Sequence, residues 1–261
     1  MDLTETKTKK ISVKFISPIQ GEMILETSRI NVIVGKRYKT FVLRTLNNVF
    51  QGKPLPNVSM EIDSKGMLFS AILFPEFFFM SLDKIYAIEM VKEGKRVEQY
   101  AITLPSSFER LYYNNDTSEF YVMKGSEKVR YEEASTSEKV IAILTTLAES
   151  GLLGDPSRTI LLFDEPNSSL HPYDELKLAY VLGRLSTKGY TIVVSTDDID
   201  FFSILGCIRG VPTMLKLSDF DEPVINVDYA LIKGNEIMLY DIRGSAVPTY
   251  TSLLLDIYKH C

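Results

Sequence analysis

Two apolar runs joined by a helix constrain the fold of this chain more than any other feature of its sequence. The runs are "TILLF" at residues 159–163 and "YTIVV" at residues 190–194. A helix is predicted between them over "PYDELKLAYVLGRLSTKG", where the apolar residues have helical spacing and Gly189 closes the segment. Strands that are apolar on both faces are buried between helices, and strands joined by a helix run parallel. The sequence therefore predicts an α/β fold with a parallel sheet flanked by helices.

The rest of the chain is predicted to add strands and helices on both sides of that unit. Turn signals such as "YNND" and "KGSE" indicate an antiparallel β region over residues 57–125. We predict a single domain over residues 1–261. Its four segments are a strand, loop and helix unit (10–56), a mostly β insertion (57–130), a core (131–212) and C-terminal strands with a helix (213–261). Further strands are predicted over residues 10–17, 21–27 and 29–35, and further helices over 39–52, 137–153, 197–205 and the C-terminal "TYTSLLLDIYKHC".

The stretch between the third strand and the first helix has the outline of a shortened phosphate-binding loop. The P-loop pattern is G-x-x-x-x-G-K-[ST], in which six steps separate the first glycine from the lysine. The segment "NVIVGKRYKT" has four steps between Gly35 and Lys39, and it has no second glycine. Because glycine lets backbone amides approach a phosphate closely, a shorter loop offers fewer donors. Lys36 and Arg37 add positive charge but cannot reproduce the missing amides.

Two acidic residues follow the first apolar run and continue into a longer motif. The segment "ILLFDEPNSSLHP" places Asp164 and Glu165 where the predicted strand ends. An acid at such a strand end can hold Mg²⁺ through water, and its neighbour can orient an attacking water molecule. The alternative is a strand that ends in a solvated acidic turn, but such a turn does not require the continuation "NSSLHP".

With these motifs the chain resembles the ABC-type ATPase superfamily, in particular the soluble branch of RecF-like, SMC-like and overcoming-lysogenization-defect (OLD) ATPase heads. The resemblance covers roughly residues 10–215 and is strongest over residues 160–172. It implies a P-loop NTPase head with a mixed or parallel sheet flanked by helices and an antiparallel β subdomain. It also implies that Glu165 is the catalytic carboxylate. The D-loop, which meets a partner subunit in that superfamily, corresponds to Ser169, Leu170 and His171.

Two further segments follow the superfamily's order but depart from its pattern. The segment "ASTSEKV" resembles the signature that caps a partner's γ-phosphate, in which Ser135 keeps the hydroxyl and Ser137 replaces a glycine. A plain helix cap is the alternative for this segment. The segment "VVSTDDIDFF" resembles the switch, where Asp197 stands in place of a histidine that contacts the γ-phosphate. An aspartate there would repel the phosphate unless a metal or a lysine lies between them.

The resemblance implies ATP and Mg²⁺ as cofactors and a head-to-tail dimer as the working form. Lys39 would contact the phosphates, and Glu165 would polarise the attacking water. Thr40 and Asp164 would hold Mg²⁺. The implied partner is a second copy or another ATPase head, with DNA or an effector protein as further partners in DNA repair, chromosome maintenance or defence against phages and plasmids. The implied nucleotide-binding residues are Gly35, Lys36, Lys39, Thr40, Ser135 and Asp197.

Two other functions are compatible with the same residues. The short loop, the signature without glycine and the switch without histidine favour a non-catalytic interaction protein that keeps the fold but neither binds nor hydrolyses ATP. The intact "FDEPNSSLHP" disfavours this alternative. The third function is that of a subunit that supplies half of a composite site to an active relative.

Charge and composition limit the partners and the cellular compartment that the sequence predicts for this protein. The net charge of −5 does not indicate general attraction to nucleic acid, so contacts with DNA would fall to local clusters such as residues 7–14 and 36–44. The apolar segment over residues 66–82 is too short for a membrane helix, and we predict buried strands there, with a hydrophobic partner patch as the alternative. The N-terminal ten residues have no apolar core of a signal peptide, and the two cysteines are far apart. We therefore expect a cytoplasmic protein without membrane contact.

Overall fold

The chain folds around a six-stranded sheet with helices on its faces. The computed structural model describes residues 10–35, 37–53, 55–62, 69–74, 92–217, 227–233 and 236–240. Its strands are β1 (Lys10–Phe15), β2 (Gly21–Glu26), β3 (Ile30–Val34), β4 (Val58–Ile62), β5 (Ser70–Phe74), β6 (Arg110–Asn114), β7 (Glu119–Lys124), β8 (Glu127–Arg130), β9 (Thr159–Asp164), β10 (Thr191–Thr196), β11 (Val227–Lys233) and β12 (Glu236–Tyr240). Its helices are α1 (Lys39–Phe50), α2 (Thr136–Ser150), α3 (Pro172–Lys188), α4 (Ile199–Gly206) and α5 (Val211–Met214).

The main sheet has the strand order β12-β11-β3-β10-β9-β5. Its neighbouring strands pair in parallel, except for the antiparallel pair β11 and β12. Every residue of β9 and β10 is buried, as the two apolar runs predict. The predicted α/β fold with a parallel sheet flanked by helices is thereby confirmed.

Two smaller antiparallel sheets accompany the main sheet. One has the order β2-β1-β4, and the other has the order β6-β7-β8. The turn between β7 and β8 contains Gly125 with φ +58°, a left-handed conformation that glycine adopts without strain. The second of these sheets accounts for the predicted antiparallel piece, whereas β5 joins the main sheet beside β9. The division of the chain into four segments stays a prediction.

The core lies on both faces of the main sheet because successive residues of a strand point to opposite sides. On one face, Leu161 and Phe163 of β9 belong to a cluster that includes the buried sides of α2 and α3. On the other face, Ile160 and Leu162 belong to a cluster with residues of α1, β1 and β2. Helices therefore cover both faces of the central strands.

Among the described residues, side chains cap the starts of α2, α3 and α4 but not those of α1 and α5. Helix α2 begins with a capping box in which Ser135 and Glu138 bond to each other's backbone amides. Helix α3 starts at Pro172 and ends at Gly189, which is left-handed, as the sequence predicts. Helix α1 begins without a side-chain cap among the described residues. The predicted C-terminal helix and the apolar residues 75–82 lie outside the described residues.

No helix in the described ranges has both the length and the apolar character needed to cross a membrane.

Candidate functional site

The predicted site residues come together at the carboxyl edge of the three central strands. Strands β3, β10 and β9 are parallel neighbours, and Ser195 is opposite Asp164 in the sheet register. Gly35 follows β3 and Asp197 follows β10, so both lie at the same edge as Asp164. In open α/β sheets this edge is where ligands bind.

Lys39, the first residue of α1, has its ammonium at the centre of this edge. Its Nζ atom donates to the Gly35 carbonyl at 2.6 Å. The same atom lies 2.9 Å from Glu165 Oε1 and 3.5 Å from Asp197 Oδ2. Lys39 is only 5% exposed, so solvent screens these ion pairs less than those of a surface lysine. The Lys39 ammonium thus contacts three other predicted site residues, namely Gly35, Glu165 and Asp197.

The Asp164 carboxylate is buried and oriented by the neighbouring strand. Its Oδ1 atom accepts a hydrogen bond from the Ser195 hydroxyl at 2.7 Å. The Ser195 hydroxyl oxygen also accepts from the Glu165 amide at 3.1 Å, and the Ser195 carbonyl accepts from that amide at the same distance. Ser195 therefore fixes both acidic residues.

Glu165 and Tyr38 both adopt left-handed backbone conformations, with φ of +45° and +66°. Such conformations are costly for residues other than glycine, and they cluster at functional sites. Tyr38 directly precedes Lys39, the position at which the phosphate-loop pattern has its second glycine. At this position a tyrosine therefore adopts a backbone conformation that only glycine adopts without strain.

The amino terminus of α1 presents backbone amides at the site. Among the described residues, no side chain caps this helix and no acid lies in its first turn. Uncapped amides at a helix N-terminus favour an anion. Gly35 is required for a separate reason, since a Cβ there would lie 2.7 Å from the Ile232 carbonyl oxygen of β11. Thr40 is the second residue of α1, and Lys36 lies outside the described residues.

The signature-like and D-loop segments contact each other within the chain. The Ser137 hydroxyl donates to the Ser169 carbonyl at 3.4 Å and accepts from the His171 amide at 3.1 Å. His171 caps α3 through its Nδ1 atom, and Leu170 is half-buried against the core. Ser135, Ser169 and His171 are exposed. For Ser135 the capping role is present in the structure, and its part in a dimer stays a prediction.

A buried acid lies behind the switch segment. Glu175, on α3, is 5% exposed. Burial, followed by the nearby negative charge of Asp198, raises its pKa to about 7, although a hydrogen bond with Asn167 acts in the opposite direction. The Asn167 Oδ1 atom accepts from the Thr196 hydroxyl at 3.2 Å. Asn167 therefore links the motif that follows β9 to the end of β10.

The donor chemistry at the edge suits Mg²⁺ only in part. Within the described ranges, no group of three or more histidine, cysteine or acidic residues could hold a metal ion by itself. Mg²⁺ is commonly held by one or two carboxylates together with water and phosphate oxygens. The oriented carboxylate of Asp164 and the hydroxyl of Thr40 supply oxygen donors of that kind.

Sequence reasoning misses three residues that shape this site, namely Asn167, Glu175 and Ser195. Ser195 could have been suspected, because a polar residue in an otherwise apolar strand needs a hydrogen-bond partner when buried. The other two depend on contacts between segments that no local pattern reveals.

The fold is shared with ATP-binding domains of the ABC type. Two solved structures with TM-scores just above 0.5 share the fold. One is described as an inward-facing conformation of a "putative metal-chelate type ABC transporter"; it has a TM-score of 0.53 and 14% identity, and the alignment covers 95% of this chain and 89% of that chain. The other is the ADP conformation of an ATP-binding cassette of an ABC transporter, with a TM-score of 0.51, 11% identity and coverage of 96% and 98%.

The chain belongs to the family described as "AAA domain, putative AbiEii toxin, Type IV TA system", whose model matches residues 48–199, more than half of the chain. This match begins after the shortened phosphate loop. A curated relative from Bacillus cereus (strain ATCC 10987 / NRS 248), named "Putative ABC transporter ATP-binding protein", is 30% identical over 82 residues. That alignment spans 31% of this chain and only 14% of the relative.

Proposed function

We propose that the chain is an ATP-binding and ATP-hydrolysing head that dimerises on nucleotide. The observation that carries the proposal is the position of the Lys39 ammonium, between the Gly35 carbonyl and Glu165 at the carboxyl edge of the sheet. A lysine at the start of an uncapped helix can bind phosphates that also accept from the helix amides. Membership of an AAA-domain family supports the same ligand.

Each residue at the carboxyl edge of the sheet has a separate role in the proposed hydrolysis of ATP. When bound, ATP and Mg²⁺ supply the transferable phosphoryl group and a counter-charge for it. Lys39 binds phosphate oxygens, and Thr40 and Asp164 are the residues that would hold the metal. Glu165 orients a water molecule and accepts its proton. Because Glu165 is paired with Lys39 in the structure, Lys39 must turn to the phosphates before Glu165 can act as the base.

The proposed partner is a second head, either another copy of this chain or a relative. The exposure of Ser135, Ser169 and His171 supports this arrangement, because a partner could reach all three residues. In this arrangement Ser135 caps the partner's terminal phosphate. The family's description as a toxin of a Type IV TA system favours a role in defence against mobile elements over one in DNA repair.

A non-catalytic interaction protein is the second candidate, and one observation favours it. Lys39 is already neutralised by Glu165 and Asp197. A phosphate group would have to compete with two carboxylates for this cation, on a loop two residues shorter than the usual pattern. In this alternative, α1 and the acidic motif are retained for the fold alone.

Calorimetric titration with ATP and Mg²⁺ separates the two candidates. We expect wild-type protein to bind, and Lys39→Ala to bind at least about tenfold more weakly because a charge-assisted contact is lost. Lys53→Ala, which removes an exposed lysine just beyond α1, serves as the control and should bind as wild type does. Glu165→Gln should retain binding and lose hydrolysis. Absence of heat with millimolar ATP and Mg²⁺ would decide for the non-catalytic protein.

A further inference from the structure

The acid at the switch position is an ion-pair partner of the phosphate-loop lysine. Asp197 Oδ2 lies 3.5 Å from Lys39 Nζ, on the side of the ammonium that is open to solvent, since the Asp197 side chain is 62% exposed and the lysine side chain 6%. Two hydrogen bonds hold the backbone of the segment that carries Asp197. The Asp198 amide donates to the Thr196 hydroxyl, and that hydroxyl donates to Asn167. Asp197 thus faces the entrance of the proposed phosphate site from a fixed backbone.

Among the described residues, the acidic side chains that pair with Lys39 outnumber it. Two carboxylates, those of Glu165 and Asp197, lie 2.9 and 3.5 Å from the Lys39 ammonium, and the buried carboxylate of Asp164 lies at the same edge of the sheet. A polyphosphate that drew Lys39 away would leave Glu165 and Asp197 unpaired beside its own negative charge. Like charges close together oppose binding, although solvent screens this repulsion at Asp197, whose side chain is 62% exposed. Free nucleotide is therefore a poor ligand for this arrangement.

We propose that Asp197 makes this site selective for a nucleoside triphosphate in complex with a divalent cation, and that it excludes the metal-free form. This inference rests on the proposed nucleotide binding. Lys39 would turn from the acidic residues to the phosphates, and a divalent cation held by Thr40 and Asp164 would then supply the counter-charge of the acidic residues. Asp197 is a positioning residue in this scheme, because it acts by holding Lys39.

The experiment measures ATP affinity in the presence of Mg²⁺ and in the presence of EDTA, and takes the ratio of the two dissociation constants. For wild type we expect binding in EDTA to be at least about tenfold weaker than in Mg²⁺. Asp197→Asn keeps the side-chain size and removes the charge. It should reduce the ratio by about fivefold, mainly because binding in EDTA becomes tighter.

Two variants control for effects other than the pairing with Lys39. Asp200→Asn removes an acid three residues further along, in the first turn of α4, and should leave the ratio unchanged. Asp197→Glu keeps the charge and should retain most of the wild-type ratio. An unchanged ratio in Asp197→Asn, or an equal fall in Asp200→Asn, would overturn the inference while leaving nucleotide binding intact. Absence of binding in every variant with Mg²⁺ would instead refute the proposed function, and the inference with it.

Discussion

At the scale of single residues, Tyr38 stands where the phosphate-loop pattern has its second glycine. Its φ of +66° is a left-handed conformation, and the residue is 37% exposed. A non-glycine residue in this region costs roughly 1 kcal/mol or more. The backbone at Tyr38 therefore stores strain directly before Lys39.

Replacing Tyr38 tests this strain. We expect Tyr38→Gly to be more stable than Tyr38→Ala by about 1 kcal/mol, because only glycine adopts this backbone without steric cost. At an ordinary position glycine would be the less stable of the two. Urea denaturation of both variants measures the difference. Equal stabilities, or a more stable alanine variant, would show that the strain is absent.

Glu175 gives the protein a defined dependence of stability on pH. Its pKa is about 7 in the folded chain and 4.5 as the ordinary value. Because the folded state binds the proton more tightly, this residue's contribution is fully present below pH 4.5, decreases as pH rises, and is lost above pH 7. We expect Glu175→Gln to remove that loss. Between pH 5 and pH 8 the free energy of unfolding of wild type should fall by about 2 kcal/mol relative to the variant.

Denaturation curves at pH 5, 6, 7 and 8 for the two proteins supply the comparison, and the difference between them removes the contribution of other titrating groups. Glutamine retains the ability to bond to Asn167, so the variant should fold normally. A constant difference across this range would mean that Glu175 is ionised in the folded state throughout.

At the scale of elements, the sequence predicts those strands and helices in which the pattern of apolar residues follows from burial alone. Strands β9 and β10 are buried on both faces, so their residues are apolar without alternation and are recognisable. The start of α1 at Lys39 is predicted from the strand–loop–helix order. The position of β5 at the edge beside β9 is not predictable in this way, because pairing between distant strands leaves no local signal.

The candidate site likewise contains residues that the sequence predicts and contacts that it does not predict. Gly35, Asp164 and Asp197 follow apolar strands, so parallel pairing alone brings them to one edge. The bond from Ser195 to Asp164 depends on the exact register of β9 and β10. The sequence does not predict the ion pair between Lys39 and Asp197 itself. It indicates only that a metal or a lysine would have to offset the charge of the aspartate at the switch position.

The contact between the start of α2 and the D-loop is a prediction about two elements. Ser137 is 9% exposed and bonds to both Ser169 and His171. Ser137→Ala leaves the His171 amide without this partner, and we expect a loss of about 1 kcal/mol in the free energy of unfolding. Hydrogen exchange at the His171 amide should become faster. Ser203→Ala, which removes an exposed hydroxyl bonded within α4, is the control and should change stability by less than about 0.5 kcal/mol.

If the D-loop keeps its exchange rate in Ser137→Ala, the two segments are held together by packing, and the serine is dispensable. Ser137 stands where the superfamily's signature has a glycine. The bond to the D-loop gives this substitution a structural reason within one chain, independent of any partner.

At the scale of the whole molecule, the proposed dimer would bring the edge of the sheet in one head against the exposed signature-like segment of the other. In that proposal Lys39, Asp164 and Glu165 contribute from the edge of the sheet, and Ser135 contributes from the partner head. Ser135 also caps α2, so a substitution that removes the cap would confuse folding with assembly. Asparagine and aspartate both replace serine well as N-caps, which makes them a matched pair that differs in charge alone.

We expect Ser135→Asn and Ser135→Asp to be about as stable as wild type, the aspartate slightly more so because of the helix dipole. In the Glu165→Gln background, where hydrolysis is blocked, the asparagine variant should dimerise with ATP and Mg²⁺. The aspartate variant should stay monomeric, because its charge would face the partner's terminal phosphate. Sedimentation velocity with and without nucleotide gives the oligomeric state. A dimer of equal strength in both variants would place Ser135 away from the interface, and monomers throughout would exclude the two-headed assembly.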